Sequence, residues 1–185
     1  ASLAGIEDVD SFVSNPHKWL CTNFDCSAYF VREPGALIRT FEILPEYLKT
    51  GQTSPVRNYR DWGIALGRRF RALKLWFVLR CYGAEGLRTM LRNHIAWAAE
   101  LRGWIEADPA FEVLAPSPFG LVCFRHVRPG LDPAATDALN ASIKERINDG
   151  GRLYLTHTRL NDVYALRLVV GQTAVTREDV VTAWE

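Results

Sequence analysis

The sequence predicts an α/β chain, on three observations. Residues 85 to 107 carry apolar side chains at helical spacing, and short β-rich segments recur further along the chain. A helix start at Asp132-Pro133 and a stop at Gly150-Gly151 separate two pairs of such segments.

From the N-terminus, residues 10 to 32 read as two short strands. Ser11-Phe12-Val13 enters an Asn-Pro turn, and Cys26 to Val31 leaves it with mixed apolar and aromatic character. From Arg39 to Arg60 periodicity fails. Lys49-Thr50-Gly51-Gln52-Thr53-Ser54-Pro55 is loop chemistry, and so long an unpatterned stretch reads as a mobile lid or as disorder. A helix is expected from about Ile64 to Tyr82, ended by Gly83, with Phe70, Leu73, Phe77 and Cys81 at helical steps. The next helix, Glu85 to Ala107, has a fuller stripe: Leu87, Leu91, Ile95 or His94, Ala98, Leu101 and Ile105, stopped by Asp108-Pro109. These two helices are expected to join two lobes.

Phe111 to Leu114 and Phe119 to Val127 follow as strands. The helix opened by Asp132-Pro133 shows Leu139, Ile143 and Ile147 on one face. Arg152 to Thr156 and Tyr164 to Val170 are again β-rich, with Asn161-Asp162 as turn chemistry in a connection longer than a minimal hairpin. A last helix starts at a Thr176-x-x-Asp179 cap and reaches Trp184-Glu185 before any stop signal. From residue 110 onward the order is β-β-α-β-β-α, which predicts a small sheet with helices on one face.

At 185 residues, with 48% hydrophobic and 23% charged side chains, the chain has the composition of a soluble globular protein able to bury a core. A formal net charge of +1 gives no electrostatic footprint for nucleic acid or an anionic membrane. Cysteines 21, 26, 81 and 123 have neither metal-ligand nor disulfide-scaffold spacing, and histidines 17, 94, 126 and 157 lack ligand spacing. With no apolar run approaching a membrane span and no basic-then-apolar leader, the chain reads as cytoplasmic. The basic run Arg68-Arg69-Phe70-Arg71 is expected to pair with acidic partners at a lobe or subunit junction.

The chemistry concentrates in Asn15-Pro16-His17-Lys18-Trp19, followed by Asn23-Phe24-Asp25-Cys26-Ser27. An amine that condenses with an aldehyde must be partly neutral, and burial or a nearby cation favours that form. His17 and the flanking aromatics are placed to supply both effects on Lys18. The Asn15 amide and the His17 imidazole are suitable donors for a phosphate. By itself, Asn-Pro-His-Lys also reads as a solvent-exposed turn.

These two motifs, with Leu66-Gly67-Arg68-Arg69-Phe70-Arg71-Ala72-Leu73-Lys74-Leu75-Trp76-Phe77 and Gly120-Leu121-Val122-Cys123-Phe124-Arg125, resemble the group II pyridoxal-phosphate decarboxylases, the aromatic-L-amino-acid decarboxylase family. The resemblance implies a fold type I, transferase-like architecture. Residues 1–73 would form the C-terminal part of the large cofactor domain, with a catalytic loop at about 39–60, and residues 74–185 a small α/β domain. It implies pyridoxal 5'-phosphate on Lys18 as a Schiff base, with Asn15 and His17 at the phosphate. Tyr47, on a loop that reaches the neighbouring subunit of a homodimer, would protonate the carbanion, and Gly67 would leave room for the substrate ring. Relatives with phenylalanine at the Tyr47 position tend towards aldehyde formation, so Tyr47 points to decarboxylation of an aromatic amino acid. Gly67 and His17 also separate the chain from the related histidine decarboxylases, although a glycine there equally fits backbone permissiveness. Arg167 lies where the wider fold often binds a substrate carboxylate, and a structural ion pair is an equal reading.

The family's phosphate loop, pyridine-nitrogen aspartate and ring-stacking histidine precede the lysine. The chain is therefore expected to be a C-terminal piece of a longer protein, completed by an N-terminal segment or chain. Two rival readings stand beside decarboxylation: an aromatic aldehyde synthase on the same scaffold, and a noncatalytic fragment that dimerises or binds a partner.

Overall fold

The computed structural model describes residues 3–42 and 59–185, and the chain divides into two compact units, Ala1–Cys81 and Tyr82–Glu185. In the first unit the two expected strands are β1 (Ser11–Ser14) and β2 (Ala28–Val31), the second starting at Ala28 and not Cys26, and they pair antiparallel, with Ser11 opposite Val31 and Ser14 opposite Ala28. Residues 15–27 are the connection between them, and Lys18 lies on it. A short helix, α1 (Pro34–Phe41), follows. The sequence reading missed it and assigned its end, from Arg39, to a loop. Its start is marked by Pro34 in the first turn and by the Glu33 carboxylate, which accepts from Gly35 N at 3.0 Å. Glutamate is not among the common capping residues, which hid the signal. A further 3-10 turn, Tyr59–Trp62, packs beside α1.

The long helix α2 runs Arg71–Ala107 and is broken only at Gly83, whose φ of 67° and ψ of 168° suit glycine alone. Its start at Arg71 corrects the expected start at Ile64. Gly63 and Gly67 each disfavour helix, and Ile64, Leu66 and Phe70 are 93%, 72% and 74% exposed, so no packed face supports another turn. Beyond Gly83 the stripe Leu87, His94, Ala98, Leu101 and Ile105 is buried as its spacing predicts.

In the second unit, β3 (Phe111–Val113), β4 (Leu121–His126), α3 (Pro133–Asp149), β5 (Thr156–Leu160), β6 (Val163–Val169) and α4 (Arg177–Trp184) give the predicted order. The antiparallel sheet runs β3-β4-β6-β5. Val122 and Phe124 of β4 stand opposite Leu168 and Leu166 of β6, and these four join Ala98, Leu101 and Ile105 of α2, Ile143 and Ile147 of α3 and Val180 of α4 in one core. Asp132 caps α3 by accepting from Ala135 N at 2.7 Å, and Thr176 and Asp179 form a reciprocal capping box on α4.

Two features depart from the sequence reading. The strand expected at Arg152–Thr156 is β5 at Thr156–Leu160. The Asn148 amide takes both main-chain groups of Leu155, accepting from its N at 2.7 Å and donating to its O at 3.0 Å, so the ladder begins one residue later. The connection to β6 is a minimal hairpin: Leu160 pairs with Val163, and Asn161 and Asp162 have φ of 49° and 65°. The inward face of α3 also holds polar residues the apolar pattern could not flag. Asn140, 0% exposed, accepts from His126 N at 2.8 Å and donates to His126 O at 2.8 Å, while Asp137 accepts from Tyr164 N at 3.1 Å. These side chains take main-chain groups beyond the last β4–β6 pair, Phe124 with Leu166.

Candidate active site

The connection between β1 and β2 is a tied loop. Asn15 and Pro16 open a turn in which Lys18 N donates to Asn15 O at 2.9 Å, the arrangement that asparagine at the first and proline at the second turn position favour. Pro16 is buried and its carbonyl accepts from Thr22 N at 3.1 Å; Thr22 is itself 3% exposed. His17 N donates to Cys26 O at 3.2 Å, which draws the two motifs together.

The side chains are oriented by the same ties. Ser27 Oγ donates to Asn15 Oδ1 at 2.6 Å, which leaves the Asn15 amide N–H groups as donors. His17 Nδ1 lies 2.7 Å from Cys26 O and 3.1 Å from Cys26 N, and Phe24 meets the imidazole edge-on at 5.0 Å. In one tautomer Nδ1–H donates to Cys26 O and Nε2 is an acceptor; in the other Nδ1 accepts the Cys26 N–H and Nε2–H is a donor, the form suited to an anion. Lys18 is exposed, and Phe24, 84% exposed, meets His17 edge-on rather than shielding the amine. Within this chain the aromatics do not bury Lys18 as the sequence reading expected.

Asp25 ties the loop to the start of α2. Its Oδ1 accepts from Arg69 Nη2 at 2.8 Å and its Oδ2 from Arg71 Nε at 2.9 Å. Desolvation would raise the Asp25 carboxyl, but its own backbone amide and the guanidinia of Arg71 and Arg69 outweigh this and hold it below the usual carboxylate range. Two cations of the basic run thus have an acidic partner, but it lies within the first unit and not at the expected lobe or subunit junction. The sequence reading did not identify that partner, although Asp25 is the sole carboxylate between residues 11 and 32.

Asn15, His17 and Lys18 therefore share one turn, and Gly67 lies in the segment joined to it through Arg69 and Arg71. Gly67 is exposed, its φ is outside the left-handed region, and an added Cβ would meet nothing within 4 Å. Local backbone permissiveness does not account for it. Tyr47 lies outside the described residues. Arg167 donates to Thr156 Oγ1 at 3.4 Å, and among the described residues it forms no ion pair. An exposed primary amine beside amide and imidazole donors suits a cofactor that carries both an aldehyde and a phosphate.

Residues 1–127 match the model of the pyridoxal-dependent decarboxylase conserved domain. The chain belongs to this family. It is 42% identical over 187 residues to tryptophan decarboxylase TDC1 of Camptotheca acuminata and 43% identical over 190 residues to tyrosine decarboxylase 4 of Petroselinum crispum. Each match covers 99% of the chain and 37% of the relative, so the chain spans little more than a third of these decarboxylases. Among solved structures, Oryza sativa TDC with PLP and tryptamine superposes with a TM-score of 0.92 at 37% identity, over 98% of this chain and 38% of that one. Rhodiola rosea 4-hydroxyphenylacetaldehyde synthase superposes with a TM-score of 0.85 at 32% identity, over 98% of this chain and 37% of that one. The α/β architecture is that of the pyridoxal-phosphate decarboxylases, as the motifs implied.

Proposed function

We propose that the chain carries the lysine-bearing part of a pyridoxal-phosphate-dependent aromatic L-amino-acid decarboxylase, which releases CO2 and the corresponding amine. The observation that carries this reading is the Lys18 turn, an accessible amine on a backbone fixed from both motifs, in a chain matched by the family from residue 1 to 127. The names of the matched relatives, tryptophan and tyrosine decarboxylases, support an aromatic substrate.

Bound here, pyridoxal phosphate supplies the electron sink for the pair left when the bond from Cα to the carboxylate breaks. Lys18 anchors the cofactor covalently. The Asn15 amide and His17 Nε2–H hold its phosphate, and the ties to Ser27 and Cys26 fix both donors in advance, so little ordering remains to be done on binding. Gly67 leaves space for the substrate ring, a role that its open surroundings and ordinary φ support. The Tyr47 phenol donates the proton that Cα takes up after CO2 leaves, which phenylalanine cannot do. Tyr47 acts from a loop that enters the neighbouring site of a cytoplasmic homodimer, and the chain functions with the remaining length seen in its relatives.

An aldehyde synthase is the second reading, favoured by the superposition on the Rhodiola rosea enzyme. A noncatalytic dimerisation module is the third. The complete natural polypeptide, supplied with pyridoxal phosphate and with tryptophan, tyrosine, dopa or phenylalanine, distinguishes them. Amine and CO2 in equal amounts support decarboxylation, and Tyr47→Phe should divert product to aldehyde, CO2, ammonia and peroxide, with one dioxygen reduced to peroxide and one water consumed per aldehyde. Aldehyde from the unaltered protein supports the synthase, and turnover of none of these amino acids supports the noncatalytic module.

A further inference from the structure

We propose that Asp25, clamped by Arg69 and Arg71, is the positioning residue of the Lys18 turn, setting where the lysine amine and the His17 ring meet the cofactor. This rests on the function proposed above. Within this chain β1 and β2 leave Val13, Tyr29 and Phe30 55%, 51% and 59% exposed. Asp25 makes the charged link from the loop to another element, reaching guanidinia that follow it by 44 and 46 residues. Both carboxylate oxygens are used, one by each arginine, so the clamp fixes the orientation of the carboxylate as well as its place.

The residues beside Asp25 transmit that placement. Phe24 packs on the His17 ring, and Cys26 contacts His17 through its N–H and its carbonyl. Cys26 Sγ also points at Arg71 O, 3.9 Å away, so the helix start holds residue 26 as well as residue 25. Lys18 follows His17 directly. A shift of residues 24–26 therefore carries the imidazole and the lysine backbone with it, and positioning errors of an ångström are costly at a reacting centre. The side chains of Arg69, Arg71 and Asp25 are 76%, 38% and 32% exposed, a setting in which ion pairs add little to stability.

The test uses the complete natural polypeptide loaded with pyridoxal phosphate. Borohydride trapping on Lys18 in the unaltered protein is read first, because its failure would remove the proposed function itself. Given trapping, Asp25→Ala is expected to weaken cofactor binding and lower kcat about ten- to a hundredfold, with substrate KM changed less than about threefold. The visible band of the lysine-bound cofactor and its pH profile should shift as well. Arg71→Ala should give the same changes, and the double variant should be no worse than either single one. Asp25→Asn and Arg69→Gln, which disturb folding less, should give smaller shifts of the same kind. A lowered melting temperature with unchanged cofactor affinity, band and kcat would mean that the clamp is only a staple. Additive effects of Asp25→Ala and Arg71→Ala would equally overturn the proposal.

Discussion

Replacing Asn140 by leucine should loosen the second unit more than removing the leucine beside it. Asn140 is 0% exposed and its amide takes the N–H and the C=O of His126 and the carbonyl of Thr136, at 2.8, 2.8 and 2.9 Å. Leucine has nearly the same volume and fills the space, but it leaves the His126 main-chain groups without these partners. A buried main-chain group left unpaired costs about 1–3 kcal/mol, and His126 is only half-buried, so the lower part of that range applies to each group. The two together come to about 2–3 kcal/mol. Protected amides that exchange by opening of the unit should then exchange about 30- to 150-fold faster. Hydrogen-deuterium exchange read on peptides covering β4 and α3 measures this directly. Leu139→Ala, at a half-buried position outside the core cluster, should cost less than about 1 kcal/mol. Acceleration below about threefold for Asn140→Leu, or a larger effect of Leu139→Ala, would refute the view that Asn140 staples α3 to β4.

Gly83→Ala should destabilise the chain by about 1–3 kcal/mol in urea titration, because φ 67° with ψ 168° is strained for any side chain. The added Cβ meets nothing within 4 Å, so the whole cost is backbone strain, and an unchanged midpoint would count against the break. Burial pushes His94 below its ordinary value of 6.5. The native state then binds fewer protons than the unfolded one just below pH 6.5, so stability is full above that pH and falls as pH drops towards the folded-state pKa. Melting temperature read from pH 7.5 to 5 should show this slope, and His94→Leu should flatten it. The Asp179 carboxyl, lowered by the backbone N–H and hydroxyl of Thr176 against a smaller effect of desolvation, acts in a different window. Its capping contribution is present above pH 3.8 and is lost only as pH falls through the depressed folded value, so Asp179→Asn should lower stability evenly above pH 3.8, flatten the acid limb and leave the slope between pH 7.5 and 5 unchanged.

Most of the second unit was legible because its punctuation is local. Asp132-Pro133, the Thr176 capping box and Asp108-Pro109 each mark an element boundary within a few residues. What escaped depends on contacts distant in sequence or on side chains acting in unusual roles. Asn140 and Thr136 sit on an inward helical face where an apolar pattern selects Leu139 instead. Asn148 displaces the start of β5 by capturing Leu155, and two left-handed residues at 161 and 162 close a hairpin shorter than the sequence suggested. In the candidate site the turn at Asn15–Lys18 could be read from Asn-Pro alone. The clamp on Asp25 could not, since charge complementarity across 44 residues has no periodicity to betray it.

The most direct test of the central claim is borohydride reduction of the complete natural polypeptide with pyridoxal phosphate, followed by peptide mass spectrometry across Ser11 to Arg32. A phosphopyridoxyl adduct on Lys18, absent in Lys18→Ala, is the predicted result. An unmodified Lys18 under the same conditions would contradict it.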